Sequence, residues 1–515
     1  MTRWAILLFG ILNAILYSSL LPLWEGFDET FHYGYVQYLS THGAFPVLGQ
    51  TVVSEEIWQA LQFQPVSHYI QASTKAPINF TDYSGLSADQ RLTLRYGLTS
   101  IPAYVKYQDH GGLQNYEANQ PPIPYLFMAL PDRLLARVPI TSRVLCLRLL
   151  LSLTSVVLIF FGMLLIARGL GLMPEFAAAA TFCVYCSQMF YGAIAHICND
   201  SLAVPAMVFF VWAALRAVQT PSTKSFAILA VTLSLGLLIK AYFLFVLPVG
   251  LLIAWRRRKL ALVFMGVLSV VTAPWYIRNL VLYQSLGGTV EKTAGFGLKQ
   301  AFQALIHLPW GESIAYMATS SIWTGNNSFT TFSGKTLYVV LLLLIVSAGL
   351  YIYHRKQARR VELVVIGSIA FFCAGLFYVT LAFFHGTKGA AIAAVPWYMQ
   401  VLLPLVMIMV FLSLSRAGAI GRYVSMATLL TWSYLICATY VVKLIPQYGG
   451  FTQPRAHVAD LFSWYVHQAP ERNSIMTTML PTPAWWIYMM TCATVALCIF
   501  LCVHLLLHLR KPQTP

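Results

Sequence analysis

Apolar runs of about twenty residues recur from one end of this chain to the other, and nothing else in it constrains the fold as strongly. A run of that length, wound as a helix, matches the roughly 30 Å hydrocarbon layer of a bilayer. Lipid offers no hydrogen-bond partners, so the backbone inside it must be a helix or a closed barrel. The runs here are continuous rather than alternating, which selects helices. About twelve segments qualify: 3–23, 144–167, 175–196, 201–218, 225–239, 241–255, 260–280, 336–353, 361–384, 396–415, 422–442 and 484–507. Charged residues are only 10% of the 515, against roughly 25% in soluble proteins. The expected fold is an all-α polytopic membrane protein, one membrane domain over residues 1–515 rather than a string of soluble domains.

The net charge of +16 raises the question of nucleic acid, and the location of the charge answers it. The basic residues cluster in short connections: Arg256-Arg257-Arg258-Lys259, Arg355-Lys356 with Arg359-Arg360, Arg416 with Arg422, and Arg510-Lys511. That is the positive-inside pattern of cytoplasmic loops, not a basic soluble face. With the amino terminus inside, every cluster falls inside, on one condition. Residues 121–138 must not span the membrane. That stretch carries Pro124, Pro131, Asp132, Arg133 and Arg137, and its apolar positions 123, 126, 127, 130, 134 and 138 follow helical spacing, so it reads as an amphipathic helix at the interface. Residues 225–255 are interrupted only by Lys240. A tight hairpin with Lys240 at the outer surface spares that lysine the cost of the bilayer centre. The outer face then carries a long first loop, 24–143, with juxtamembrane helices, and further loops at 281–335, 385–395 and 443–483. The first segment lacks a small-residue cleavage site before Trp24 and reads as an uncleaved span. The nine cysteines lie in or beside apolar runs and outline no disulfide framework; Cys183 and Cys186 form a CxxC pattern that packing accounts for.

Acidic residues number only 17, yet Asp28 and Glu29 stand together at the mouth of the first span. Ionisable groups near lipid are costly and tend to be functional. Asp28 opens a helical pattern in which Phe31, Tyr35, Tyr38 and Leu39 share an apolar face, and Asp28 and His32 stand one turn apart. Asp28 therefore reads either as a helix N-cap or as a reactive carboxylate. Glu29 and His32 read as surface residues or as groups that orient it. Asp-Glu-x-x-His could also hold a divalent cation, but three residues define no metal site.

Longer stretches carry a resemblance. Asp28-Glu29-x-x-His32-Tyr33-x-x-Val36-Gln37-Tyr38-Leu39, followed by Phe45-Pro46, is similar to the first outer loop of GT-C membrane glycosyltransferases. Tyr116-Glu117-Ala118-Asn119-Gln120-Pro121-Pro122 resembles their His-Pro-Pro-Leu segment, with Gln120 where His is usual. His196-x-x-Asn199-Asp200-Ser201-Leu202-Ala203, Leu238-Ile239-Lys240 and Pro274-Trp275-Tyr276-Ile277-Arg278-Asn279 follow in the family's order. Val401-Leu402-Leu403-Pro404 resembles a later Arg-Tyr-x-x-Pro element, with Gln400 and Val401 in place of Arg-Tyr. The nearest likeness is to uncharacterised bacterial members; protein O-mannosyltransferases and lipid A aminoarabinose transferases are more distant.

On the expected topology Asp28, Asn199-Asp200, Lys240 and Arg278-Asn279 all fall at outer ends of spans, so one cavity could hold them. The resemblance implies a polyprenyl-phosphate sugar as donor, inverting transfer to an acceptor hydroxyl, and a bacterial inner membrane with the site facing outward. Asp28 is then the general base with Glu29 beside it. His32, Gln120, Asn199, Asp200, Lys240, Arg278 and Asn279 would bind substrate. The acceptor, whether glycan, lipid or protein, is open, as is any need for a divalent cation. Each position also has a plainer reading: Asn199-Asp200 as helix caps, Lys240 as a solvated anchor, Arg278 as an interfacial snorkel. Trp24, Trp310, Trp323 and Trp397 could stack on sugar or belong to the interfacial belt. The alternatives to a transferase are a twelve-span transporter or lipid-carrier flippase, and a polymerase or ligase of lipid-linked glycans.

Overall fold

The computed structural model describes residues 2–103, 113–286, 296–320, 324–394, 396–451 and 457–510. Among them the fold is helical, with two isolated β-bridges, Val52 to Gln114 and Val66 to Asn79. Among the described residues nine helices are long and apolar enough to cross a membrane: Thr2–Leu20, Ile140–Leu170, Asp200–Gln219, Arg258–Tyr283, Gly334–Tyr353, Glu362–Gly386, Trp397–Arg416, Gly418–Tyr448 and Ala484–Arg510. A tenth expected span is broken into Pro174–Tyr185 and Gln188–Ile194, bent by 68°. The hairpin expected at 225–255 is present as two shorter apolar helices, Thr223–Ile239 and Ala241–Trp255. Each falls short of the roughly 20 residues an untilted span needs.

The break between those two helices falls at Lys240, as the sequence predicts, but the placement of its side chain differs. Lys240 is buried rather than solvated, because the Asp200 carboxylate, at the start of the preceding helix, meets it. The stretch expected at the interface forms the helix Ile123–Leu134. Tyr125, Met128 and Asp132 face inward against the helix Glu29–His42, while Leu126, Phe127, Leu130 and Leu134 are exposed. A twelve-residue helix is too short to span, and an exposed apolar stripe opposite a packed face is what an interfacial helix presents.

Two of the basic connections meet at one end of the bundle. Arg359 donates to the Leu170 carbonyl at 3.0 Å, and Arg416 pairs with Glu362 at 2.5 Å. At the opposite end lies the helix Glu29–His42, fixed by buried charge. Arg148, on Ile140–Leu170, binds both carboxylate oxygens of Glu29. One turn earlier, Arg143 pairs with Glu56 and lies 3.9 Å from Asp132. Gln37 donates to Glu56 at 2.7 Å, and Tyr33 and Ser40 donate to Asp132 at 3.1 and 2.6 Å. Buried charges are tolerated when paired and hydrogen-bonded in this way. The nine cysteines are all free.

Candidate functional site

The chain leaves its first helix at Leu20 and turns sharply before the next begins at Glu29. Two non-glycine residues of this turn, Trp24 (φ 70°) and Asp28 (φ 55°), are left-handed. Asp accepts that region; for Trp it is an outlier, and such outliers collect at functional sites. Gly26 is required by close approach, since a Cβ there would lie 2.4 Å from the His196 side chain.

Asp28 occupies the N-cap position, but its side chain makes no cap bond. It accepts instead from the Tyr116 hydroxyl at 2.6 Å. The plain capping role is therefore not the one its side chain plays. The carboxylate is only partly exposed. Burial raises its pKa, against the Tyr116 hydrogen bond and the Lys240 charge, which draw it down. Glu117, next to Tyr116, is more deeply enclosed. Burial, and then the Asp28 charge, push its pKa up to about 8, against Lys240 and a hydrogen bond with Gln120. Two carboxyls that disfavour each other's ionisation divide into an acid and a base.

The remaining expected residues fall into three groups. Gln120, Asn199, Asp200 and Lys240 meet beside this pair. Asn199 donates to the Gln120 side chain at 2.9 Å, and Lys240 pairs with Asp200 at 2.6 Å. Tyr242 donates to the other Asp200 oxygen at 2.9 Å, and the Lys240 ammonium lies 4.3 Å from the Tyr398 ring centre. Neither Asn199 nor Asp200 acts as a plain cap, and Lys240 is no solvated anchor. His32 stands behind Asp28, 2.8 Å from the Tyr125 hydroxyl and 3.9 Å from Glu117. Burial, with Lys240 and His196, lowers its pKa well below the ordinary histidine value and keeps it neutral.

Glu29 belongs to the second group, turned away from Asp28. It is fully buried, bound to Arg148 through both oxygens, and accepts from the Ile197 backbone N–H at 3.0 Å. Burial alone would raise its pKa; Arg148 outweighs that and holds it below the ordinary value. A carboxylate so engaged has no open face for a substrate. Asp28, Glu29 and His32 consequently do not converge on a point where a cation could sit.

Arg278 and Asn279 form the third group. Arg278 donates through Nη2 to the Pro46 carbonyl at 2.8 Å, and its guanidinium lies 4.7 Å from the Trp275 ring centre. Its charge reaches Tyr35, two turns along the helix from Asp28, or about 10 Å. Nη1 is buried and has no hydrogen-bond partner among the described residues. Arg278 therefore points into the protein rather than out to the interface. Asn279 donates to the Leu286 carbonyl at 3.3 Å, and its Oδ1 is buried without a partner among the described residues.

Two cavities lie beyond residues that contact the turn at 24–28: Trp397 and Phe329, which pack on Phe27, and Ser328, which holds Glu25. One, of about 720 Å³, is apolar, walled by Met317, Leu344, Phe377, Val406 and Leu435. Gln188 also lines it, and the Gln188 Nε2 is buried without a partner among the described residues. The other, of about 560 Å³, is polar and includes Tyr69, Asn327 and Phe329. The 3-10 turn Pro396–Leu402 stands between the apolar cavity and the carboxylates. Trp397 stacks on Phe27 at 4.2 Å and 7°, Tyr398 faces Lys240, and Met399 and Gln400 line the apolar cavity. Of the other tryptophans considered for sugar stacking, Trp24 is fully buried, Trp310 stacks on Phe377, and Trp323 lies outside the described residues.

Glu25 was not legible in the sequence. Its Oε1 accepts from the backbone N–H and hydroxyl of Ser328 and from Tyr448, while Oε2 has no partner among the described residues. Asn327 reinforces the contact by donating to the Trp24 and Gly26 carbonyls at 3.3 and 2.8 Å. Burial raises the Glu25 pKa to about 8, against the hydrogen bonds from Ser328 and Tyr448. The folded state thus binds this proton more tightly than the unfolded chain. Stability from Glu25 is fully present below its ordinary value of 4.5 and is lost as pH rises through about 8. Glu25→Gln is expected to flatten that alkaline fall in Tm, whereas Glu25→Ala should lower Tm at every pH. A Gln variant with the wild-type pH profile would refute the assignment.

No family model matches the chain, and no curated protein does. Among solved structures it is similar to ArnT from Cupriavidus metallidurans bound to undecaprenyl phosphate, at 16% identity and a TM-score of 0.41, covering 87% of this chain and 75% of that one.

Proposed function

We propose that this chain is a membrane glycosyltransferase of the GT-C type, moving a sugar from a polyprenyl-phosphate donor to an acceptor hydroxyl. The observation that carries this reading is the place of Asp28: a partly exposed carboxylate that makes no cap bond, acted on by Lys240, in a turn whose neighbours lead to one apolar and one polar cavity. The ordered motifs shared with that superfamily point the same way.

The apolar cavity suits the hydrocarbon chain of a polyprenyl donor, since ligand sites of about 300–1,000 Å³ lined by apolar side chains are typical. Gln188 offers an unpaired donor on its wall among the described residues. The acceptor hydroxyl, placed against Asp28, attacks the anomeric carbon from the face opposite the phosphate. Its proton passes to Asp28, the new C–O bond forms, and the bond to the phosphate oxygen breaks with its electron pair. Polyprenyl phosphate leaves, and configuration inverts. Glu117 holds its proton at neutral pH, so Asp28 is the carboxyl available as base.

The leaving phosphate is already a weak base and needs charge stabilisation more than a proton. Arg278 is the better candidate, because its Nη1 is uncommitted and a guanidinium matches phosphate geometry. A base and a phosphate ligand should also stand apart. A hydrogen bond of about 2.7 Å and an attack distance of about 3.2 Å already separate Asp28 from the anomeric carbon. Lys240, committed to Asp200, acts through its field, drawing the Asp28 pKa down. Glu29, with Arg148, positions Asp28 rather than sharing its chemistry.

The decisive experiment incubates the purified protein with a panel of polyprenyl-phosphate sugars and assays release of polyprenyl phosphate. Release from at least one donor is expected. No release from any, with movement of labelled lipid between leaflets of a vesicle, would favour the flippase instead. We also propose that the site faces outward. A reporter fused after residue 139 should then be extracytoplasmic and one fused after residue 360 cytoplasmic; both on one side would overturn the topology.

A further inference from the structure

The polar cavity of about 560 Å³ is not explained by donor binding or by Asp28. Residues from 67–69, 80–84, 327–330, 442–451 and 457–461 build it. It meets the catalytic turn directly. Phe329 on its wall lies 6.1 Å from the Phe27 ring, Tyr69 lies 5.3 Å from Phe329, and Ser328 holds Glu25.

Its chemistry is one-sided. His68, Lys443 and His457 line it, and no described carboxylate does. Of the acidic groups beside lining residues, Asp82 accepts from Asn79 at 2.6 Å and Asp460 accepts from the His457 backbone N–H at 2.7 Å, while Asp28 acts on Tyr69 from the side of the turn. Glu25 lies behind Ser328 and, with its pKa raised to about 8, adds no full charge at neutral pH. Lys443 makes no ion pair among the described residues; its ammonium lies 5.5 Å from the Phe332 ring centre.

The backbone beneath Lys443 is also unusual. Residues Thr439–Leu444 form a π-helical turn inside an otherwise α-helical span. Such turns are rare and are frequently found at functional sites. Here the turn carries a half-buried lysine onto a cavity wall. Tyr69, Phe80, Phe329 and Phe451 supply aromatic faces, and Thr81 and Gln447 supply hydrogen-bonding groups. Flat rings with dispersed polar groups suit a saccharide, and an unpaired ammonium suits an anion on it.

We propose that this cavity binds the acceptor, and that Lys443 selects an acceptor saccharide carrying a negative charge. This rests on the transferase reading for the word acceptor alone; binding itself needs no donor. The charge could come from a uronic carboxylate or from a phosphate ester, which share the chemistry Lys443 recognises.

The test is equilibrium binding to the purified full-length protein, with maltose, a glucuronic-acid disaccharide and glucose 6-phosphate as probes. At least one anionic probe is expected to bind about ten- to a hundredfold more tightly than maltose, the range of a hydrogen bond to a charged group. Which anion binds tells carboxylate from phosphate. Lys443→Gln should remove the preference and leave maltose binding unchanged, whereas Lys443→Arg should keep it. Equal binding of all three probes, or a preference that survives Lys443→Gln in a protein with wild-type Tm, would overturn the proposal. Asp28→Asn should bind the anionic probe normally. Anion binding together with a silent donor panel would therefore count against the transferase reading and not against this site.

Discussion

Asp28→Asn is expected to lower the rate of sugar transfer by about 10²–10⁴-fold, the range attributed to a positioned general base. The substitution keeps the size of the side chain and its capacity to accept from Tyr116, which donates to Asp28 at 2.6 Å. What it removes is the ability to take a proton. KM for the donor should change little, because the lipid chain and phosphate are read as bound elsewhere. Glu117→Gln makes the companion experiment. Glu117 carries its proton at neutral pH, its pKa being pushed up to about 8 by burial and the Asp28 charge, so the amide should cost far less. A Glu117→Gln protein as inactive as Asp28→Asn would transfer the base role to Glu117. A nearly normal Asp28→Asn protein would remove Asp28 from the chemistry.

Arg148→Met should be the most destabilising single change outside the reacting groups. Arg148 and Glu29 are both closed off from solvent, and Arg148 also donates to the Leu21 and Pro22 carbonyls at 2.6 and 2.9 Å. Removing the guanidinium strands a buried carboxylate, at a cost of about 3–5 kcal/mol. Heat inactivation in detergent would register the loss as a lower midpoint. Arg148→Met combined with Glu29→Gln should recover part of it, because no lone charge is then left behind. Non-additivity of that size between the two changes marks direct coupling; strict additivity would show that Glu29 and Arg148 act independently.

The spans and the basic end of the bundle were readable because they follow from composition and spacing alone. Hydrocarbon imposes length, and charge is kept out of it. The meeting of Asp28, Asn199, Asp200 and Lys240 was readable because span ends at one depth have few places to go, but Arg278 and Asn279, expected with them, stand apart on Pro46 and Leu286. Direction was not readable. Lys240 looks like a hairpin tip until Asp200 is seen opposite it. Glu29 and Asp28 are neighbours in sequence, yet the first helical turn sends them to different sides, one to Arg148 and one to Tyr116. Glu117 stood inside a recognised stretch, but nothing local distinguishes a carboxyl raised by a distant Asp28. Glu25 depends on Ser328 and Tyr448, more than three hundred residues away.

That Trp397 lies over Phe27 and Tyr398 over Lys240 has a consequence for biosynthesis. Asp28 leaves the ribosome long before Trp397 and Tyr398, which complete one wall of its surroundings. A polypeptide truncated before that point could insert its early helices and would still be inert. On the transferase reading, translation through that point must precede any turnover, which would protect a lipid carrier from half-made copies.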